Sequence, residues 1–327
     1  MMRVGVVGAG AIGARLAIPL AAHGHEISVL ARGATLSALR ERPWKLTRGD
    51  DVLEATVRAS DNAADLGEQD VVIIAVKGPS LATVARLVGP MIGPETIVLP
   101  TMNGVPWWFL LHGGGELGPT SLSSVDPGEL IARAIPLDRV LGCVVHLSAA
   151  AMAPGEVGLA AGNRLLFGEP AGGTSARLER IVELFRASEF HVTGSDRIQN
   201  DVWYKLWGNM TMNPISALTA ATCDRILDDP LVNAFVLAVM GEAQEIGRRV
   251  GCGIQESGKD RIAVTRRLGR FKTSMLRDVE AHRPIELDDM LAAPLEIARK
   301  LGAATPNIDA LFGLTRLFAR SAGLYPG

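Results

Sequence analysis

Runs of apolar residues change character along the chain, and the change predicts two halves. Residues 3–7 (RVGVV), 26–30 (EISVL), 70–77 (DVVIIAVK) and 96–104 (TIVLPTMNG) are short, β-branched and almost uninterrupted. Strands covered on both faces of a parallel sheet have this composition. Further strands are expected at about 140–147 (VLGCVVHL), 156–159, 164–167 and 190–193, with a helix over 175–187. From residue 198 onward the apolar spacing becomes helical, over 199–220, 230–250, 258–280, 287–301 and 307–320. The breaks are DDP at 228–230, GCG at 251–253, Pro284 and GAATP at 302–306, all residues that punctuate helices. Pro214 should kink or break the first of these helices, because it lacks an amide proton and crowds the preceding turn. The expected architecture is an α/β domain over 1–196, with a doubly wound, mostly parallel sheet, followed by an all-α domain over 197–327.

Length and composition support this picture and narrow the partners. At 327 residues the chain exceeds what one core usually supports. Hydrophobic residues make up 48% and charged residues 21%, as in ordinary folded proteins. A net charge of −2 exerts no global pull toward nucleic acid or an anionic membrane. Cys143, Cys223 and Cys252 have no metal-ligand spacing and cannot all pair, and the histidines form no zinc pattern. A reducing, cytoplasmic setting is expected. The N-terminal apolar run looks superficially like a secretion signal, but it carries patterned glycines and Arg15. No run is long enough to span a membrane. The apolar helices at 230–250 and 307–320 are compatible with a homodimer.

The first strand runs directly into GAGAIG, residues 8–13, which opens a helix near Ile12. Gly8 makes the tight turn, Gly10 lets backbone amides approach a pyrophosphate, and Gly13 lets helix and strand pack closely. Ala9, Ala11 and Ile12 complete the loop that would cradle it. GxGxxG alone is weak, but strand, glycine turn, helix and second strand together point to a dinucleotide. The second strand ends in VLAR, with Arg32 where NAD-binding chains usually place an acid. A guanidinium suits a 2′-phosphate, which favours NADPH over NADH; the alternative is an exposed surface arginine. Lys77 and Asn103 stand at the ends of the next two strands, where doubly wound sheets bind ligands. Residues 106–138 form a long excursion rich in Gly, Ser and Pro, and such loops are often functional.

In the helical half, YKLWGNMTMNP places Lys205, Asn209 and Asn213 four residues apart, in one line along a helix. Trp203, Leu206, Trp207, Met210 and Met212 surround the line. An exposed Asp201–Lys205 pair would be one explanation. A polar cleft facing the cofactor is the other, since buried amides and ammonium groups need partners. The basic run KDRIAVTRRLGRFK, 259–272, reads as a solvated helix face opposite Ile262, Val264 and Leu268.

Taken in order, GAGAIG, VLAR, AVK, MNG, KLWGNMTMNP and TSMLRDVEAHRPIELD resemble the ketopantoate reductase family over nearly the whole chain. The resemblance implies a Rossmann domain followed by a helical domain, with the active site in the interdomain cleft. It also implies NADPH-dependent reduction of ketopantoate to pantoate, on the route to pantothenate. By position, Lys205 matches the family's general acid, and Asn209 and Asn213 the amides that hold substrate. Ser274 matches a serine that binds the substrate carboxylate, with Phe271 to Thr273 forming its approach. Glu286 matches a glutamate on the nicotinamide side, counted with the catalytic and the cofactor contacts. Gly8 to Gly13, Arg32, Lys77 and Asn103 match cofactor contacts, Asn103 also reaching substrate, and Ala151 matches a backbone contact. No metal is implied. The chain departs from the pattern at Cys223, where an asparagine is usual, and in its longer 106–138 excursion. Both bear on the substrate more than on the reaction. Two alternatives stay open: an NADP-dependent reductase of another 2-oxo acid, and a binding protein that senses NADP(H) without chemistry.

Overall fold

The computed structural model describes residues 1–267 and 269–326. The chain forms two compact units, Met1–Met102 with Leu130–Ile198, and Asn103–Glu129 with Gln199–Gly327. A single boundary near residue 196 therefore misses one exchange, because Asn103–Glu129 groups with the helical unit. The cause is an apolar stretch inside the excursion. Val105, Trp107, Trp108, Phe109 and Leu110 are all buried, and Phe109 stacks on Trp203 at 5.8 Å between ring centroids. Far from being a free loop, the segment is anchored by its aromatic side chains.

The first unit runs β1 (Arg3–Val7), α1 (Ala11–Ala22), β2 (Glu26–Leu30), α2 (Gly33–Glu41), β3 (Trp44–Arg48), β4 (Asp51–Ala55), β5 (Arg58–Ser60), α3 (Ala63–Leu66), β6 (Gln69–Ile74), α4 (Gly78–Ala85) and β7 (Ile92–Pro100). After the excursion it resumes with α5 (Leu130–Ala134), β8 (Gly142–Ala153), β9 (Glu156–Gly168), α6 (Ala176–Ala187) and β10 (His191–Gly194). One sheet has the order β5-β2-β1-β6-β7 and is parallel throughout. Its central register sets Val4 beside Val71 and Val6 beside Ile73, all fully buried. A second sheet has the order β10-β9-β3-β4, with β8 antiparallel to β9. Helix α1 packs against strands of both sheets, so residues Gly13 to Leu20 are buried on every side. The pieces expected at 156–159 and 164–167 are one strand, β9. Strands β3 to β5 were not apparent in the apolar pattern.

The second unit contains α7 (Ile198–Thr219, its first residue counted with the first unit), α8 (Cys223–Asp228), α9 (Pro230–Arg249), α10 (Gly258–Arg266), α11 (Ser274–Glu280), a π-helical turn (Asp288–Ala292), α12 (Ala293–Leu301) and α13 (Pro306–Ser321). Helix α7 passes through Pro214 without a break. Residues Met210 to Ala217 are all buried, and that packing outweighs the roughly 3 kcal/mol a mid-helix proline costs. Its buried indoles are satisfied by α9: Trp203 Nε1 donates to the Ala243 carbonyl at 3.1 Å and Trp207 Nε1 to Met240 at 2.8 Å. The helix expected over 258–280 is two. Gly269 has φ +66°, and Thr273 starts α11 by accepting the Leu276 amide at 3.1 Å. Of the apolar face expected there, Ile262 is buried, Val264 is exposed, and Leu268 lies outside the described residues. Among the described residues no helix is long and apolar enough to cross a membrane.

Candidate active site

In the first unit, the predicted cofactor contacts gather at the carboxyl edge of the parallel sheet. The three glycines of the turn answer to different constraints. Gly8 has φ +103°, and a β-carbon there would come 2.8 Å from the Ala75 carbonyl oxygen. A β-carbon on Gly13 would run into the Gly8 carbonyl oxygen, so helix and turn meet through the missing side chain. Around Gly10 nothing lies within 4 Å of the added atom. The turn is closed on its protein side and open on the side a ligand would approach. Gly10 caps α1 with extended backbone and no side-chain hydrogen bond, which leaves first-turn amides for an anion. Ala9, Ala11 and Ile12 are partly buried and complete the turn. Arg32 and Lys77 occupy the corresponding N-cap positions of α2 and α4, again without a side-chain cap bond. Arg32 is exposed, two residues beyond β2, and Lys77 is half-buried, three residues beyond β6. These features fit the pyrophosphate of a dinucleotide. Ala151 is placed otherwise: it is exposed on β8 opposite Val157, in the second sheet rather than on this edge.

In the second unit, the line on α7 has its apolar flanks inside. Trp203, Leu206, Trp207 and Met210 are essentially inaccessible, which orients the half-buried Lys205 and Asn209 to the other side. Lys205 Nζ donates to Asn103 Oδ1 at 2.8 Å, across 102 positions of sequence. Asn103 lies beyond β7, which ends at Pro100, rather than within it. The side chains of Asn209 and the buried Asn213 make no hydrogen bond among the described residues. A buried amide without partners is unfavourable.

Asn103 is fixed by its neighbours. Gly104 has φ +78°, and a β-carbon there would stand 2.5 Å from the carbonyl carbon and oxygen of Asp289. The Val105 amide donates to that same oxygen at 2.8 Å. The π-helical turn is thus the seat of the Asn103 segment. Glu286, just ahead of it, and Asp289, within it, are both buried. Burial, then the charges of Glu286 and Asp288, push the Asp289 carboxyl well above the usual carboxylate range. Asp289 was missed by sequence reasoning; the available signal was an acid inside LDDMLAAPL, between residues that otherwise read as core.

Ser274 is the exposed first residue of α11, behind its cap Thr273. Phe271, half-buried, accepts the Cys223 amide at 3.0 Å, so the start of α8 and the approach to Ser274 are joined. Burial pushes the Cys223 thiol up to about 11, which keeps it neutral. The chain thus brings Lys205 and Asn103 into direct contact and sets Asn209 and Asn213 along the same helix.

The chain is similar to known proteins over nearly its whole length. The profile of the family described as Ketopantoate reductase PanE/ApbA matches residues 4–172, and that of its C-terminal part residues 197–319. The 2-dehydropantoate 2-reductase of Mesorhizobium japonicum is 38% identical, over 99% of this chain and 100% of its own length. A crystal structure from Ralstonia solanacearum MolK2, assigned as a ketopantoate reductase, is 54% identical over 99% of this chain and 100% of its own, with a TM-score of 0.95. A D-mandelate dehydrogenase solved with NADH and anilino(oxo)acetate shares the fold, at TM-score 0.85 and 18% identity, over 99% of this chain and 100% of its own.

Proposed function

The chain belongs to the ketopantoate reductase family, oxidoreductases acting on a CH–OH group, and from that premise we propose that it reduces ketopantoate to pantoate with NADPH, in the cytoplasm, on the route to pantothenate. The observation that carries the reading is the 2.8 Å hydrogen bond from Lys205 Nζ to Asn103 Oδ1. A cation fixed beside a carboxamide, with two unpartnered amides further along its own helix, is equipped to receive a carbonyl oxygen that gains negative charge.

The turn from Gly8 to Gly13 would hold the pyrophosphate on the amides of α1, with Arg32 gripping the 2′-phosphate and Lys77 adding charge. When bound, NADPH supplies a hydride to the C2 carbonyl carbon of the 2-oxo acid. Lys205 then stabilises the oxygen and delivers its proton to it. Asn103 holds the ammonium in place and also contacts substrate. Asn209 and Asn213 orient the acid, Ser274 bonds its carboxylate, and Glu286 accepts a hydrogen bond from the new hydroxyl or from Lys205.

A second reading keeps the reaction and changes the substrate. Cys223, where the family usually has asparagine, is a buried, neutral thiol that reads polar groups poorly. It favours a 2-oxo acid with a less polar tail, and the D-mandelate dehydrogenase fold relative was solved with such a compound, anilino(oxo)acetate. The test is a panel of 2-oxo acids, ketopantoate among them, assayed with NADPH and NADH by cofactor consumption. Highest kcat/KM for ketopantoate with NADPH supports the first reading; a hundredfold preference for another acid selects the second. NADPH binding without turnover of any acid would leave a sensor.

A further inference from the structure

The chain beyond α13 turns back onto the segment that carries Glu286. Gly323 has φ +67°. Its amide donates to the Arg320 carbonyl at 3.0 Å, and the Leu324 amide donates to that of Ala319 at 2.7 Å. This pair of bonds around a left-handed glycine closes a helix and sends the chain sharply off its axis. Leu324 is buried as a result. Two groups of the reversed chain then hold one short stretch. The Leu324 carbonyl accepts the Ile285 amide at 3.1 Å, and the Tyr325 hydroxyl donates to Asp288 Oδ1 at 2.5 Å. Arg320 steadies the tyrosine, with its guanidinium carbon 5.9 Å from the ring centroid and Nε donating to the Pro326 carbonyl at 2.9 Å.

The stretch so held, residues 283–287, belongs to neither helix nor strand. Upstream, Arg283 ties it to α11: its amide donates to the Asp278 carbonyl at 2.8 Å and its Nε to Asp278 Oδ1 at 3.1 Å. Ile285 and Leu287 are fully buried, and Glu286 between them is buried too. In close packing a side chain cannot re-aim when its backbone shifts, so the backbone decides where the Glu286 carboxylate points. The Ile285 amide lies one residue before Glu286 and the Asp288 carboxyl two residues after it. The two bonds therefore bracket Glu286. Asp288 is half-buried; burial pushes its carboxyl up, and the Tyr325 hydrogen bond opposes that shift by favouring the charged form. Removing the hydroxyl would leave that carboxyl poorly satisfied and free to move.

Resting on the reading of Glu286 as the group that meets the new hydroxyl or Lys205, we propose that Tyr325 is a positioning residue for the reduction, holding Glu286 in place through its hydrogen bond to Asp288. It acts at one remove, through the π-helical turn and the backbone.

The test measures kcat and KM on the best 2-oxo acid of the panel for wild type, Tyr325→Phe, Asp288→Ala, Asp288→Asn, Glu286→Met and the double variant Tyr325→Phe/Glu286→Met. Thermal melting is followed alongside, and rates are taken well below each Tm. Tyr325→Phe keeps the ring and removes the donor. It should lower kcat by roughly ten- to a hundredfold, the effect of a small misplacement of a reacting group, while KM for the acid holds. Asp288→Ala should reproduce that loss from the other end of the bond, and it carries the test if Tyr325→Phe does not fold. Asp288→Asn still accepts from the hydroxyl and should retain most of the wild-type rate; a loss as large as that of Asp288→Ala would count against the bond. In the Glu286→Met background Tyr325→Phe should cost nothing further, because residues acting as a unit are not additive. A merely structural tyrosine would cost the same in both backgrounds. That result, or an unchanged kcat in Tyr325→Phe or Asp288→Ala, would overturn the proposal and leave the reductase reading intact. A wild type inactive on every 2-oxo acid would overturn that reading and this one with it.

Discussion

Replacing Gly104 by alanine should damage the second unit in two measurable ways. At φ +78° an alanine adopts a left-handed conformation, which costs about 1–2 kcal/mol. Its β-carbon would also stand 2.5 Å from the carbonyl carbon and oxygen of Asp289 and 2.6 Å from the Asp289 β-carbon. Those are backbone and near-backbone atoms, held by the Val105 amide and by the π-helical turn that leads directly into α12. Overpacking against atoms that cannot rotate away costs about 1–3 kcal/mol more. The sum is about 2–5 kcal/mol, and at roughly 2–4 °C per kcal/mol for a unit of this size Tm should fall by about 4–20 °C. Relief of the contact would move Asn103, one residue away, from Lys205, so turnover should fall as well. Thermal melting by circular dichroism, with kcat measured well below the new Tm, reads both effects. A variant that melts within a degree of wild type would refute the steric argument.

Gly10→Ala is the contrasting case: with nothing within 4 Å of the added atom, it should leave Tm unchanged and weaken NADPH binding at least about tenfold by filling the pyrophosphate side of the turn, as isothermal titration would show. Arg15 is buried, with its guanidinium 4.3 Å from the Phe190 ring centroid and its pKa lowered to about 10, chiefly by burial. A base disfavoured in its charged form destabilises the fold throughout the neutral range, so Arg15→Met should hold or raise stability in urea denaturation at both pH 6 and pH 8; a loss above about 1 kcal/mol would contradict this. Asp289, an acid raised by burial and by Glu286 and Asp288, keeps its proton longer folded than unfolded, so its contribution falls as pH rises above the ordinary carboxylate value. Asp289→Asn lacks that loss and should gain stability relative to wild type between pH 4 and pH 8; a constant difference across that range would count against a protonated Asp289.

What could be read in the sequence was what local geometry controls. Gly8 and Gly13 are required by atoms within a few residues or on the next strand, so GxGxxG identified its own turn. The 3.6-residue repeat of α7 put Lys205, Asn209 and Asn213 on one line, and Trp203 and Trp207 beside it fixed which side is buried. Long-range contacts were harder to see. Asn103 looked like the end of a first-unit strand because its tie to Lys205 spans 102 positions. Strands β3 and β4, WKLTR and DVLEA, are half-exposed and charged, and nothing in their apolar pattern announces a second sheet. Pro214 misled because burial of its whole turn carries the helix through. In the basic run Lys259, Arg266, Arg267, Arg270 and Lys272 are exposed as expected, and Arg261 is half-buried.

The central claim is that the Lys205 ammonium delivers the proton. Lys205→Met keeps most of the apolar stem and removes the charge, and single-turnover loss of NADPH absorbance on mixing with the preferred 2-oxo acid measures its effect. The rate should fall by roughly two to four decades with NADPH affinity unchanged. A variant that retains more than about a tenth of the wild-type rate would contradict it.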